Sequence, residues 1–133
     1  MSLLLDTHVW VWSQEDPERI GKRARRRLED TGEDLFVATI SSLEIARLIH
    51  VGLLEFEGKL DRWVEVSLDV LRCGSLELSH AVAVAAYQLP GAFHKDPADR
   101  ILVATARVHG LTLVTADQRL LDYRPVRTLD ARR

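Results

Sequence analysis

Three leucines at positions 3–5 run directly into Asp6, so the stretch LLLDTH at residues 3–8 places a carboxylate at the end of an apolar run. A strand without alternation of apolar and polar residues is one covered on both faces, as in a parallel sheet flanked by helices. Open parallel sheets gather ligands at the carboxyl ends of their strands, which makes an acid at this point chemically informative. The same side chain could instead cap a following helix by accepting a hydrogen bond from a free amide of its first turn. Partners elsewhere in the chain decide between these two roles.

The rest of the pattern alternates helices with short apolar strands. Residues 9–16 suit a short helix with Trp10 and Trp12 as packing anchors. Pro17 opens a second helix over residues 18–31, stopped by Gly32 and carrying the run KRARRR. In that run Lys22 lies one turn from Arg26, and Arg23 one turn from Arg27. The resulting positive face suits phosphate, an acidic partner or plain solvent. Residues 35–39 (LFVAT) read as a strand, and Ser41 as the cap of a helix that ends before Gly52. Residues 53–58 form a connection in which Leu53, Leu54 and Phe56 supply a small hydrophobic surface.

Between residues 59 and 72, Leu60, Trp63, Val64, Leu68 and Leu71 recur at helical spacing, and Gly74 is a terminator. Residues 76–79 read as a short strand, with another helix beginning near Ser79. Its nearly all-apolar run at 81–89 suits a buried helix or an oligomer surface. Pro90 and Gly91 end it; a loop follows, then a helix at 97–109, Gly110 as its stop, and strands at 111–115 and 126–129. This alternation predicts an α/β fold, a three-layer α/β/α sandwich with a central, mostly parallel sheet and right-handed crossovers, as a single domain over residues 1–133.

Composition narrows the function classes. The 133 residues are 47% hydrophobic and 29% charged, which is ordinary for a globular protein, and the net charge of −2 argues against a dominant non-specific grip on nucleic acid. No apolar run approaches the roughly 20 residues of a membrane span. The N-terminus lacks a basic start before its apolar run, and the one cysteine, Cys73, cannot form an internal disulfide. These features fit a cytoplasmic protein with no membrane attachment.

Asp6 and Asp117 each follow an apolar strand, LLL and LTLV, whereas Glu44 and Asp99 fall in first turns of helices leaving the carboxyl edge of a sheet. Four acids distant in sequence therefore can converge. Such a set suits Mg²⁺ or Mn²⁺, which favour oxygen ligands and bring a phosphate ester and an attacking water together, with one ion or two. Helix capping competes at two of the positions: Ser41 to Glu44 has the spacing of a capping box, and Asp96, Pro97 and Asp99 read as cap, first helical residue and N3 acid. The five histidines show no zinc-ligand spacing; His94, just ahead of Asp96, could approach substrate but reads as a loop-surface residue, and no glycine-rich phosphate loop is present.

LLLDTH at the start, SLE at 42–44, DPADR at 96–100 and TAD at 115–117 together resemble the PIN-domain ribonucleases, and more closely the VapC toxins of toxin–antitoxin pairs. The resemblance implies a metal-dependent endoribonuclease that hydrolyses RNA phosphodiester bonds with Mg²⁺ or Mn²⁺. It implies Asp6, Glu44, Asp99 and Asp117 as the catalytic acids, with Asp6 and Asp99 as principal metal ligands and Glu44 and Asp117 binding directly or through water. Thr7 and Thr115 are candidate auxiliary hydroxyls, and Arg100 is an auxiliary candidate for phosphate recognition or a structural ion pair. Lys22, Arg23, Arg26 and Arg27 are weaker candidates for substrate binding. Ala98 departs from the bulky apolar residue common at that place. The resemblance further implies a VapB-like antitoxin partner and a homodimer. A non-toxin PIN nuclease acting in RNA or DNA processing, or a catalytically silent protein-binding module, remains open at this point.

Overall fold

The computed structural model describes residues 2–133. Five strands, β1 (Ser2–Leu5), β2 (Asp34–Ala38), β3 (Gly74–Leu76), β4 (Thr112–Thr115) and β5 (Thr128–Asp130), form one sheet in the order β3-β2-β1-β4-β5. All four pairings are parallel. The leucine run is the central strand, with Leu4 between Phe36 and Leu113. Leu3 and Leu5 pack with Leu35, Val37 and Val114 on one face, and Leu4 packs with Ala38 and Leu113 on the other. Both faces of β1 are thus covered, which is why its sequence does not alternate.

Helices α1 (Thr7–Glu15), α2 (Lys22–Glu29), α3 (Thr39–His50), α4 (Leu60–Leu71), α5 (His80–Ala85), α6 (Pro97–His109) and α7 (Gln118–Leu121) flank the sheet in an α/β sandwich. Trp10 of α1, Ala24 of α2 and Trp63, Val64 and Leu68 of α4 cover one face; Leu102, Val103 and Ala106 of α6 cover the other. Among the described residues, no helix is long and apolar enough to cross a membrane.

Four local expectations change. The helix expected over residues 18–31 is a 3₁₀ turn at Pro17–Arg19 followed by α2, with Gly21 extended between them. The segment after β5 crosses this point: Gly21 N donates to Ala131 O at 2.8 Å, and a Cβ on Gly21 would fall 2.2 Å from the Arg133 backbone. Gly74 is not the stop of α4, which ends on Arg72 in the left-handed region (φ 53°). Glycine is needed at 74 because a Cβ there would meet the Phe36 ring at 2.8 Å.

The terminal strands are also displaced, β3 towards the N-terminus and β5 towards the C-terminus of their expected positions. The apolar run at 81–89 is helical only as far as Ala85 and is one-sided. Val82 and Ala86 are buried against Ala104 of α6, whereas Val84 and Tyr87 are exposed.

Candidate active site

The chain leaves β1 towards β2 on one side, and β4 enters on the other, so the carboxyl edge between β1 and β4 is the topological switch point at which open α/β sheets bind ligands. Asp6 is the first residue beyond β1, and its N–H still donates to Val114 O at 2.9 Å. Asp117 follows β4 by two residues and caps α7. Because α3 follows β2 and α6 precedes β4, both helices present their N-terminal portions to the same edge. Asp6, Glu44, Asp99 and Asp117 line one cleft of about 390 Å³, together with a fifth acid, Asp96, and with His8, Trp12, Arg47 and Arg119.

Hydroxyl groups hold two of the acids. Thr115 Oγ1 donates to Asp6 Oδ2 at 2.6 Å and accepts from Asp117 N at 3.1 Å, tying the ends of β1 and β4 together. The other Asp6 oxygen accepts from Thr7 N at 2.7 Å, so the side chain caps α1 while lining the cleft. Thr7 Oγ1 lies 2.9 Å from both Glu44 Oε1 and Ser41 Oγ. A carboxylate has no hydrogen to give, so the single threonine hydrogen goes to Glu44, and the Ser41 hydroxyl can turn to Thr7.

Glu44 and Ser41 do not form the expected capping box. The helix begins at Thr39, without a side-chain cap, which leaves Ser41 buried inside it and puts Glu44 in its second turn. Asp96, in contrast, is the cap of α6. Its Oδ1 accepts from Ala98 N at 2.9 Å and from Asp99 N at 3.3 Å, with Pro97 as the first helical residue. Capping by Asp96 leaves the Asp99 carboxylate available to the cleft.

Two further residues touch the acids: His94, which the sequence places just ahead of Asp96, and Arg119, which carried no sequence signal. His94 Nε2 lies 2.6 Å from Asp99 Oδ2, and Phe93 stacks on the His94 ring at 4.3 Å between centroids. Arg119, from the second position of the four-residue α7, forks onto Asp117. Arg100 lies elsewhere. Its guanidinium donates to Ala86 O at 3.1 Å and Phe93 O at 3.3 Å and sits 4.9 Å from the Tyr87 ring centroid, fastening the loop that carries His94. Lys22, Arg23, Arg26 and Arg27 are not among the residues lining the cleft, and Arg27 pairs with Glu33. Trp10 is a buried anchor as expected, whereas Trp12 lines the cleft.

Burial raises the pKa values of Asp6, Glu44 and Asp99, and neighbouring carboxylates add to the effect: Asp99 on Asp6, Asp6 on Glu44, Asp96 on Asp99. Burial acts on Asp117 in the same sense, but the hydrogen bonds and charge of Arg119 outweigh it and the value is lowered. For the three raised acids the unfolded state ionises first, so their stabilising contribution is complete below the ordinary carboxylate range and is lost as pH rises through the folded values. Asp117 contributes in the opposite sense, above that range. Asp6→Asn is therefore expected to gain stability relative to wild type as pH rises from about 4 to 7 in EDTA, because asparagine does not titrate. Thermal melts of both proteins check this; a difference that stays constant with pH would contradict it.

Residues 3–124 match the family model described as the PIN domain. The chain belongs to the PIN-domain family. This PIN chain is 36% identical over 123 residues to ribonuclease VapC22 of Mycobacterium tuberculosis (strain ATCC 25618 / H37Rv), with 92% of each sequence covered. Its fold is similar to that of FitAcB from Neisseria gonorrhoeae (TM-score 0.64, 25% identity, 97% of each chain). It is also similar to DNA-bound VapBC from Salmonella typhimurium (TM-score 0.70, 17% identity, 98% of each chain), where the identity speaks to fold alone. Family membership and homology to VapC ribonucleases support a general nuclease role.

As they stand, no group of three or more His, Cys, Asp or Glu side chains among the described residues is arranged to hold a metal ion. The donor chemistry of the PIN cleft nevertheless fits a hard divalent cation. Its acids offer oxygen ligands, and Asp6, Glu44 and Asp99 are desolvated and mutually repelling, which a cation would relieve.

Proposed function

We propose that the chain is a metal-dependent endoribonuclease, a single PIN-like domain over residues 1–133 that hydrolyses RNA phosphodiester bonds. The observation that supports this most is the meeting of Asp6, Glu44, Asp99 and Asp117, from four separate elements, in one cleft at the switch point of a PIN fold. Asp6 and Asp99 would hold Mg²⁺ or Mn²⁺ directly, with Glu44 and Asp117 acting directly or through water. When bound, the cation supplies charge neutralisation at the phosphate and lowers the pKa of water.

The chain's own part is positional. Thr115 orients Asp6, Thr7 orients Glu44, and His94 faces Asp99 Oδ2. Holding these groups before substrate arrives removes reorganisation from the reaction. The antitoxin-free protein is expected to cut RNA when Mg²⁺ or Mn²⁺ is added and to stop when EDTA is added, with single-stranded DNA cut far less. Metal-independent cleavage, or none with either ion, would overturn the assignment; equal cleavage of DNA would redirect it to a nuclease of broader substrate.

We further propose that the enzyme acts in the cytoplasm, forms a homodimer and is restrained by a small VapB-like antitoxin; its likeness to chains from VapBC complexes supports the antitoxin partner. Leu43, on the helix that carries Glu44, and Leu53, 73% exposed, offer apolar surface for such a partner. Co-expression with the product of an adjacent gene is expected to yield a complex in which RNA cleavage is suppressed.

A further inference from the structure

The acids of the cleft are unequally neutralised. Among the described residues, the ion pairs at these four acids are Arg119 with Asp117, Arg119 with Asp99, and His94 with Asp99. Arg119 Nε lies 3.3 Å from Asp117 Oδ1 and its Nη2 lies 3.0 Å from Asp117 Oδ2. The same Nη2 lies 3.7 Å from Asp99 Oδ2. One guanidinium therefore spans two acids that arrive from different elements. Its side chain is 61% exposed, and its hydrogen bonds go to Asp117.

We propose that Arg119 is a resident counter-ion of the cleft, occupying the Asp117 carboxylate and standing beside Asp99 in competition with the divalent cation, and so setting the affinity for it. The inference rests on the metal-site reading above. A guanidinium forked onto a carboxylate covers both of its oxygens, the atoms a hard cation would need. A monovalent charge left in place would also repel an incoming dication. An exposed ion pair is weak enough to be released. Arg119 thus holds the metal-free cleft together without locking it. As a positioning residue it acts through the acids, and its effect is read in metal binding as well as in turnover.

The test is a Mn²⁺ titration of the full-length protein near neutral pH, with free Mn²⁺ followed by electron paramagnetic resonance. Wild type, Arg119→Ala, Arg119→Lys and Asp6→Asn are compared, all in the absence of RNA. Arg119→Ala is expected to bind Mn²⁺ about three- to tenfold more tightly than wild type, the range set by the loss of one forked ion pair and one repelling charge. Arg119→Lys, which keeps the charge without the fork, should fall between them, and the gap should narrow as salt is raised. Binding of Mn²⁺ by Arg119→Ala that is no tighter than binding by wild type overturns the counter-ion role and leaves the metal site standing. Absence of Mn²⁺ binding in both wild type and Arg119→Ala, or undiminished binding in Asp6→Asn, overturns the metal-site reading and this inference with it.

Discussion

Asp6→Asn is expected to lower RNA cleavage by about 100- to 10,000-fold, the range over which a single positioned catalytic group acts, while the protein stays folded. Asparagine has nearly the same shape and retains one carbonyl oxygen, so it can accept from Thr115 Oγ1 or from Thr7 N, but not from both. With Oδ1 kept on Thr7 N, the amide nitrogen can donate to Thr115 Oγ1, so that contact is reversed at a cost of at most about 1 kcal/mol. Against it stands relief of a desolvated charge next to Asp99. The expected protein is therefore folded, near wild type in stability at neutral pH and deficient in cleavage. Full activity in a folded Asp6→Asn protein would remove Asp6 from the chemistry.

Trp10→Ala is expected to cost about 3–5 kcal/mol, a large share of the 5–15 kcal/mol that holds a typical domain together. The indole is fully buried, its Nε1 donates to Ser67 Oγ at 3.0 Å, and its ring lies 5.0 Å from that of Trp63. It thus joins α1, the helix capped by Asp6, to α4. Urea denaturation should show a lower midpoint at unchanged slope. Trp10→Phe, which keeps most of the apolar volume and loses the hydrogen bond, should cost about half as much. A loss below about 1 kcal/mol for Trp10→Ala would mean that the two helices are held mainly by other contacts.

The parts of the fold that were legible in the sequence are those fixed by local chemistry. Residues 3–5 read as a strand covered on both faces because no position in them tolerates water, and they form the centre of the sheet. The helix at 97–109 carries its own boundaries: Asp96 as cap, Pro97 at the first position and Gly110 at φ 65°. The positions of the four acids relative to strands and helices were also enough to expect them in one cleft.

What was not legible depends on contacts distant in sequence. The break at Gly21 is set by the chain's last residues passing over it, more than a hundred positions away. The capping box at Ser41 was misread because the cap position of α3 is Ala38, the end of β2 and three residues earlier, where nothing in the sequence marks a cap. Helix α7 is too short to show a period, so Arg119 could not be placed on Asp117. His94 carries no motif; its position follows from Arg100 and Phe93 fastening its loop. The convergence of the four acids was thus readable, whereas the contacts that His94 and Arg119 make with them were not.

The account's central claim is that the cleft between Asp6 and Asp99 holds the cation on which RNA cleavage depends. Crystals of the antitoxin-free protein soaked in Mn²⁺ give the most direct measurement, an anomalous difference map. The predicted result is a peak bounded by Asp6 and Asp99, with Glu44 and Asp117 within direct or water-bridged reach, and no such peak in Asp6→Asn. A clean map in the cleft of the wild-type protein, or a peak unchanged by the substitution, would contradict the account.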